Sequence, residues 1–155
     1  MRNALPMSDK LAQRLAMAVP ALLLAGAYIS EYGFGLFPCE MCWWQRYPHF
    51  AAIGLALLST VAMPKRVWIA TAGFAIAVSG MIGVFHAGVE YGWWESPLGC
   101  TASDPFSLDF VRCDEPAWTL LGISLAGWNA LLSIGGAVAI WLLLAAKDKA
   151  VEYRA

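Results

Sequence analysis

The chain has 155 residues, of which 60% are hydrophobic and only 14% are charged. Soluble domains carry about 25% charged residues, so the composition argues against a soluble domain and favours a protein embedded in a lipid bilayer. The ten basic and eleven acidic residues almost cancel, which argues against a nucleic-acid partner recognised through bulk charge.

Four stretches without charged residues follow one another along the chain and predict four transmembrane helices. A helix needs about 20 mostly apolar residues to cross a bilayer, so the first is expected to continue past Glu31. The predicted helices cover residues 13–36, 43–63, 67–89 and 118–146. The predicted fold is an all-α, single-domain bundle of four transmembrane helices, with two outer loops at about residues 37–42 and 90–117.

The distribution of lysine and arginine predicts the orientation of this bundle. Eight of the ten basic residues belong to the two termini and the MPKR turn at residues 63–66, whereas Arg46 and Arg112 lie on the opposite side. Lysine and arginine next to membrane-spanning helices concentrate on the cytoplasmic side. We therefore expect a multi-pass protein with both termini in the cytoplasm and both outer loops outside it, which in a bacterium is the periplasm.

All four cysteines fall in the two outer loops. Cys39 and Cys42 precede the second predicted helix, and Cys100 and Cys113 lie in the longer loop before the fourth. An even number of cysteines confined to the outward side predicts an oxidising compartment and disulfide bonds.

The CEMC segment at residues 39–42 admits several kinds of site. A c-type haem site needs C-x-x-C-H, but Trp43 follows here, and a thioredoxin-like site needs a βαβ pattern that the chain lacks. A zinc site formed by all four thiolates is sterically possible, although Cys100 and Cys113 lack the short spacing that such sites prefer, and we expect no metal. A structural disulfide remains an alternative, but so short a loop removes little entropy from the unfolded chain. A working redox pair is the favoured interpretation.

The residues around Cys42 favour redox chemistry. A helix N-terminus, a nearby cation and a Cys-x-x-Cys arrangement each favour the reactive thiolate over the thiol. Arg46 is four residues after Cys42, so both side chains should lie on one helix face. An arginine at the membrane edge indicates function by default; the alternative is an anchor that extends to lipid phosphates.

Three segments together resemble the disulfide bond formation protein B (DsbB) family over essentially the whole chain. They are CEMCWWQRYPH, HAGVEYGWW and CDEPAWTLLGISLAGWNAL. The resemblance implies an enzyme of the bacterial inner membrane, a protein-disulfide:quinone oxidoreductase that makes disulfide bonds de novo. It would oxidise a periplasmic thioredoxin-fold thiol oxidase of the DsbA type and pass the electrons to a membrane quinone, either ubiquinone or menaquinone.

The resemblance also implies a role for each cysteine. Cys39 and Cys42 would form the quinone-coupled pair, with the Cys42 thiolate against the quinone ring. Arg46 would stabilise that thiolate and the negative charge that develops on the quinone. Cys100 and Cys113 would form the pair that meets the partner protein, and Cys113 would exchange with Cys39.

Two histidines and one glutamate complete the candidates. His86 and Glu90 are four residues apart near the outer end of the third predicted helix. They could contact the quinone, or they could form a hydrogen-bonded pair at the membrane interface. His49, in the first turns of the second predicted helix, is expected at the interface rather than at the quinone.

Two other functions stay open from the sequence. One is a quinone/thiol oxidoreductase of the vitamin K epoxide reductase type, although there the isolated loop cysteines precede the Cys-x-x-Cys, and here Cys39 and Cys42 come first. The other is a non-catalytic membrane bundle stapled by two structural disulfides.

Overall fold

The computed structural model describes residues 5–97 and 112–146. Within these ranges the chain forms four α-helices and one short β-hairpin. In chain order the elements are α1 (Met7–Phe34), α2 (Glu40–Val61), α3 (Lys65–Glu90), β1 (Thr119–Leu120), β2 (Ile123–Ser124) and α4 (Leu125–Ala145). Cys100, with the middle of the predicted second outer loop, lies outside the described residues.

Three helices in the described part of the chain, α1, α3 and α4, are long and apolar enough to cross a membrane. The helix α2 has a comparable length of 22 residues, but it does not meet the same standard of hydropathy. Its first half carries Glu40, Gln45, Arg46 and His49 among apolar residues. The predicted all-helical bundle of four helices is therefore observed, but only three of these helices are shown to be able to span a bilayer.

Helices that follow one another in the chain also pack against one another. The helix α2 packs on α3, α3 packs on α4, and α1 contacts both α2 and α4. The starts of α1 and α3 and the end of α4 meet at one end of the bundle. There Arg66 pairs with Asp9 at 3.4 Å and donates to the carbonyl oxygen of Leu144. The other end therefore collects the turn between α1 and α2, the end of α3 and the hairpin.

Small residues allow the helices to approach closely, as is usual for helices packed in membranes. At Gly83 of α3, an added Cβ would lie 2.9 Å from the carbonyl oxygen of Ala126 in α4. The buried core consists mostly of alanine and isoleucine: Ala12, Ala16, Ala52, Ala56, Ile69, Ala72, Ile76, Ala137, Ile140 and Leu144.

The fourth helix begins at Leu125, although the sequence predicted a start at residue 118. The intervening residues form the hairpin, whose turn residues Leu121 and Gly122 have positive φ angles of 53° and 77°. Two residues with positive φ match the twist of a tight hairpin turn. Ser124 then caps α4, because its Oγ accepts a hydrogen bond from the backbone N–H of Gly127 at 3.1 Å. The run WTLLGISL contains no charged residue, so length and hydropathy alone predict that it belongs to the fourth helix.

Two local features shape the end of the bundle that holds the hairpin. The helix α1 stops at Gly35, which has a φ of 68° and so adopts the left-handed conformation that ends many helices. Tyr91, at the end of α3, accepts from the backbone N–H of Ser124 and donates to the carbonyl oxygen of Gly122, both at 2.9 Å. The hairpin is thereby attached to α3 beside the Cys-x-x-Cys segment.

Candidate active site

The two cysteines of CEMC sit at the first turn of α2. Cys39 caps this helix, since its Sγ accepts a hydrogen bond from the backbone N–H of Cys42 at 3.4 Å. The two Sγ atoms are 3.1 Å apart, and the Cys39 thiol donates to the Cys42 sulfur. The N-terminus of a helix carries partial positive charge, which favours a thiolate in the first turn of α2.

His86 of α3 lies directly against Cys39. Its Nε2 is 3.6 Å from the Cys39 Sγ, and its Nδ1 is 2.9 Å from the Nε2 of Gln45. The Gln45 Nε2 also lies 3.2 Å from the carbonyl oxygen of Met41, which can only accept, so this amide nitrogen is a donor. The Nδ1 of His86 is therefore the acceptor, and a neutral imidazole carries its proton on the Nε2 that faces the Cys39 sulfur.

The surroundings of Cys39 keep it protonated. The hydrogen bond with the Cys42 sulfur and burial of the side chain raise the pKa of Cys39 to about 12. At neutral pH, any thiolate in this pair therefore belongs to Cys42. Glu90 is also close, with its Oε1 3.8 Å from the His86 Nε2, and both side chains are buried.

Arg46 is buried and paired rather than extended to the surface. Its Nη1 donates to the Glu31 Oε2 at 2.6 Å, and the exposed fractions of the two side chains are 7% and 11%. Its guanidinium also lies over the rings of Tyr28 and Trp43, 4.7 and 4.8 Å from their centroids, as in cation–π contacts. These contacts argue against the alternative of a lipid-phosphate anchor.

A cavity of about 350 Å³ opens beside this arginine. One face of α2 supplies its polar wall through Cys42, Gln45, Arg46 and His49, whose spacing of three, four and seven residues is that of a single helix face. Apolar residues of α1, of the turn between α1 and α2, and of α4 supply most of the remaining wall, and Asn129 of α4 adds an amide. Its volume falls within the range of about 300–1,000 Å³ that is usual for small-molecule sites. The chemistry of the lining suits an apolar ring that carries hydrogen-bonding oxygens.

The sequence-predicted candidates separate into two groups around the Cys-x-x-Cys. Cys42 and Arg46 line the cavity, whereas His86 and Glu90 are not among its lining residues and lie beside Cys39 instead. Cys113 is buried and belongs to one apolar cluster with Cys39, Met41 and Val89. The structure thus brings Cys113, which lies in the described end of the second outer loop, to Cys39. The predicted pairing of Cys113 with Cys100 falls outside the described residues.

A buried polar network behind the cavity was missed by the sequence interpretation. Its centre is Asn129, whose Nδ2 donates to the Gln45 Oε1 at 2.8 Å and whose Oδ1 lies 2.9 Å from the His49 Nε2. Ser79 and Ser133 complete the network. Polar residues inside otherwise apolar helices are a sequence signal for function, and Asn129 carries it. His49, expected at the membrane interface, is buried within the bundle.

The side chains of Cys39, Cys42 and His86 could also hold a thiophilic metal ion. The ligand atoms of Cys39, Cys42 and His86 all lie within 4.8 Å of one another. Two thiolates and one imidazole are ligands that zinc accepts. A metal bound there would occupy the sulfurs that redox chemistry needs.

Comparisons with known proteins agree with this arrangement. Residues 9–143 match the family model described as disulfide bond formation protein DsbB. The chain is 32% identical over 145 residues to disulfide bond formation protein B of Azoarcus sp. (strain BH72), which covers 79% of this chain and 84% of that protein. It is 29% identical over 136 residues to the protein of the same name from Marinobacter nauticus, covering 76% of this chain and 80% of that one. No solved structure gives a significant match.

Proposed function

This chain belongs to the disulfide bond formation protein B (DsbB) family, and we propose that it oxidises a periplasmic DsbA-type partner at the expense of a membrane quinone. Membership makes it an oxidoreductase that forms disulfide bonds, which confirms the resemblance seen in the sequence. It also sets aside the vitamin K epoxide reductase type and the non-catalytic bundle. The partner, the quinone and the electron path are the proposal.

The observation that carries the proposal is the shared position of Cys42 and Arg46 on one apolar cavity. Cys42 is the cysteine that can carry the thiolate, because the pKa of Cys39 is held at about 12. The cavity walls are mostly apolar, and most of their polar groups lie on one face of α2. A quinone, whose ring is apolar and whose two oxygens accept hydrogen bonds, fits this lining. When bound, it supplies an acceptor for two electrons and two protons.

Electrons reach Cys42 through thiol–disulfide exchange in this proposal. A partner thiolate attacks Cys100 of the Cys100–Cys113 disulfide, and Cys113 leaves as a thiolate. Cys113 then attacks Cys39 of the Cys39–Cys42 disulfide, and Cys42 leaves as a thiolate facing the cavity. The burial of Cys113 in one cluster with Cys39 supports this order. The partner's second thiolate then displaces Cys100 from the mixed disulfide, and Cys100 attacks Cys113 and releases Cys39. One sulfur–sulfur bond forms for each one broken, so the partner ends with a disulfide, Cys100–Cys113 is restored, and Cys39 and Cys42 are reduced.

Charged and polar neighbours adjust these steps. Arg46 places a positive charge on the cavity wall beside Cys42, where negative charge accumulates. His86 directs its Nε2–H at Cys39, which would stabilise charge on that sulfur during exchange. We therefore assign His86, together with the adjacent Glu90, to Cys39 rather than to quinone contact.

We further propose that α2 is a fourth membrane crossing in the bacterial inner membrane. It runs between α1 and α3 in the bundle, and the latter two can span the bilayer. The predicted excess of lysine and arginine at the termini then places both termini in the cytoplasm and the cysteines in the periplasm.

The direct test uses the purified full-length chain in lipid nanodiscs with a reduced DsbA-type protein. We expect the partner to become oxidised only when a quinone is added, with one quinone consumed per disulfide formed. The variant Cys42→Ser should lose this activity. Partner oxidation that is independent of added and bound quinone would contradict the proposed acceptor.

A further inference from the structure

His49 presents a buried nitrogen that no group in the described structure satisfies. The side chain is 3% exposed and lines the cavity, one turn of α2 further into the bundle than Arg46. Its Nδ1 is buried and has no hydrogen-bond partner among the described residues. Buried polar atoms in proteins almost always have a partner. An unpartnered imidazole nitrogen on a residue that lines a cavity therefore points to a ligand.

The network behind His49 determines which of its nitrogens carries the proton. The Asn129 Nδ2 donates to the carbonyl oxygen of Ser79 at 3.2 Å, so this amide nitrogen is the donor, and the amide oxygen faces the His49 Nε2. The Ser79 hydroxyl donates to the carbonyl oxygen of Gln45 at 2.8 Å, which leaves its oxygen to accept from the same Nε2 at 2.9 Å. The Ser133 Oγ lies 3.5 Å from the same Nε2 and donates its proton to the Asn129 Oδ1, so all three neighbours of Nε2 are acceptors. Neutral His49 is therefore protonated on Nε2 and bare on Nδ1.

A bare Nδ1 distinguishes between the two states of a quinone. The hydroxyl group of a hydroquinone can donate to it, whereas a quinone oxygen, which only accepts, finds a donor there only when His49 is the imidazolium. We propose, on the basis of the quinone-dependent function above, that His49 is a catalytic residue whose Nδ1 gives a proton to the quinone oxygen.

The other residues of the cavity cannot perform this role. Among its lining residues, the titratable side chains are Cys42, Arg46 and His49. Cys42 is the electron donor, and an arginine in a protein does not release its proton. Gln45 and Asn129 are amides without a titratable proton. Apart from the electron donor Cys42, His49 is thus the one described side chain on the cavity wall that can both take up and release a proton.

The proton and electron count closes with this assignment. As the Cys39 thiol and the Cys42 thiolate form the disulfide, they lose two electrons and the Cys39 proton, and the Cys42 proton has already passed to the solvent. The quinone gains two electrons from the sulfurs and two protons, one of which comes from the His49 Nδ1. His49 then regains a proton from the solvent that received those of the thiols. The other quinone oxygen takes the second proton from the same source.

The test compares His49→Gln with the wild-type chain, both full length and in nanodiscs. Glutamine retains an N–H toward Asn129 and an oxygen toward the cavity, but it cannot transfer a proton. Two measurements are needed. The first is the single-turnover rate at which the pre-reduced protein reduces a short-chain benzoquinone. The second is the affinity of the oxidised protein for that benzoquinone and for its hydroquinone, determined by equilibrium dialysis.

We expect the rate to fall about 100-fold or more in His49→Gln, in the range by which general acid–base groups contribute, while both affinities stay within a few-fold. The control Ser59→Ala removes a buried hydroxyl of the same helix that contacts Gln13 and does not line the cavity, and it should react like the wild type. A wild-type rate in His49→Gln would overturn the assignment. Equal losses of rate and of both affinities would make His49 a structural residue. Failure of the wild type to reduce benzoquinone would instead refute the proposed function.

Discussion

The guanidinium of Arg46 and the carboxylate of Glu31 form a buried ion pair, with 2.6 Å between Nη1 and Oε2. The pair joins α1 to α2 at the edge of the cavity that Arg46 lines. Arg46 thus has two roles that a single substitution would remove together. It neutralises Glu31, and in the proposed function it stabilises charge on Cys42 and on the quinone.

Replacing Arg46 by Ala should raise the quinone KM and also destabilise the protein. The substitution leaves Glu31 buried without its partner, and breaking such a pair costs about 3–5 kcal/mol. Thermal unfolding and quinone kinetics in nanodiscs measure the two effects. The double variant Arg46→Ala/Glu31→Gln removes the unpaired charge, so we expect it to regain most of the stability but not the low KM.

Arg46→Lys provides the matched control for this pair. Lysine keeps the positive charge but lacks the planar fork that binds a carboxylate, so its KM should lie between those of the wild type and the Ala variant. Wild-type quinone kinetics in the double variant would reduce Arg46 to a structural partner of Glu31.

The Cys39 thiol should titrate only under strongly alkaline conditions. Its pKa in the folded protein is about 12, whereas a cysteine in an unfolded chain has a pKa of about 8.5. Because the folded state holds the proton more tightly, the contribution of Cys39 to stability is fully present below about pH 8.5 and is lost as the pH rises toward 12. Thiolate absorbance in a Cys100→Ser/Cys113→Ser background measures this titration.

The largest cause of the raised pKa is the hydrogen bond to the Cys42 sulfur, followed by burial. Cys42→Ala in the same background should therefore lower the pKa of Cys39 while leaving the side chain buried. A Cys39 thiolate already present at neutral pH in the parent protein would contradict the assignment of the thiolate to Cys42.

Reporter fusions test the proposed orientation in the membrane. A reporter that is active only in the cytoplasm should be active when it is fused after Arg66 or after Ala145. A reporter fused after Glu95 should instead give a periplasmic signal. The reason is the excess of lysine and arginine at the termini and the MPKR turn. A cytoplasmic signal after Glu95 would place the cysteines in a reducing compartment and overturn the oxidative function.

Trapping experiments separate the roles of the two outer cysteines. Cys113→Ser leaves Cys100 as a free thiol, so the partner, which lacks its own resolving cysteine, is supplied with its remaining cysteine activated as a disulfide to a small aromatic thiol. Cys100 should displace that thiol and accumulate a mixed disulfide with the partner, because no resolving cysteine remains to break it. Non-reducing mass spectrometry locates the linkage. Adding Cys39→Ser should leave the adduct in place, since Cys39 acts after this step.

The same experiment distinguishes a structural disulfide from a working one. A structural bridge closing a loop of about 15 residues would contribute about 3 kcal/mol of stability, and its loss would trap no adduct. An adduct only at Cys39 or Cys42 would reverse the proposed order of the two loops. Full oxidase activity in Cys113→Ser would remove the second pair from the electron path.

The sequence could predict those parts of the site whose residues follow one another at spacings of about one helical turn. Cys39, Cys42 and Arg46 are close in the chain, and their neighbourhood follows from a helix that starts there. For Glu31, the sequence predicts only that the first helix continues past it. Its contact with Arg46 depends on how α1 packs beside α2, and local sequence contains no information about that packing.

The surroundings of His49 likewise could not be predicted from the sequence alone. Its position seven residues after Cys42 places it on the cavity face of α2, yet which face turns inward is decided by α3 and α4. Gly83 allows α4 to approach so closely that an added Cβ would lie 3.0 Å from the Asn129 Nδ2. The family resemblance could not supply this network, because it rests on motifs and not on the spacing between helices.

One series of side-chain hydrogen bonds leads from His49 to Cys42, and every donor in it points towards Cys42. His49 donates to Asn129, Asn129 to Gln45, Gln45 to His86, His86 to Cys39, and Cys39 to Cys42. Cys42 and His49, the two ends of this series, both line the cavity, so one molecule bound there can contact both. Hydrogen bonds arranged head to tail strengthen one another, so negative charge on Cys42 helps to hold a proton at the far end. In the proposed reaction, oxidation of Cys42 removes this negative charge, so the proton at His49 would be held less tightly and released more easily.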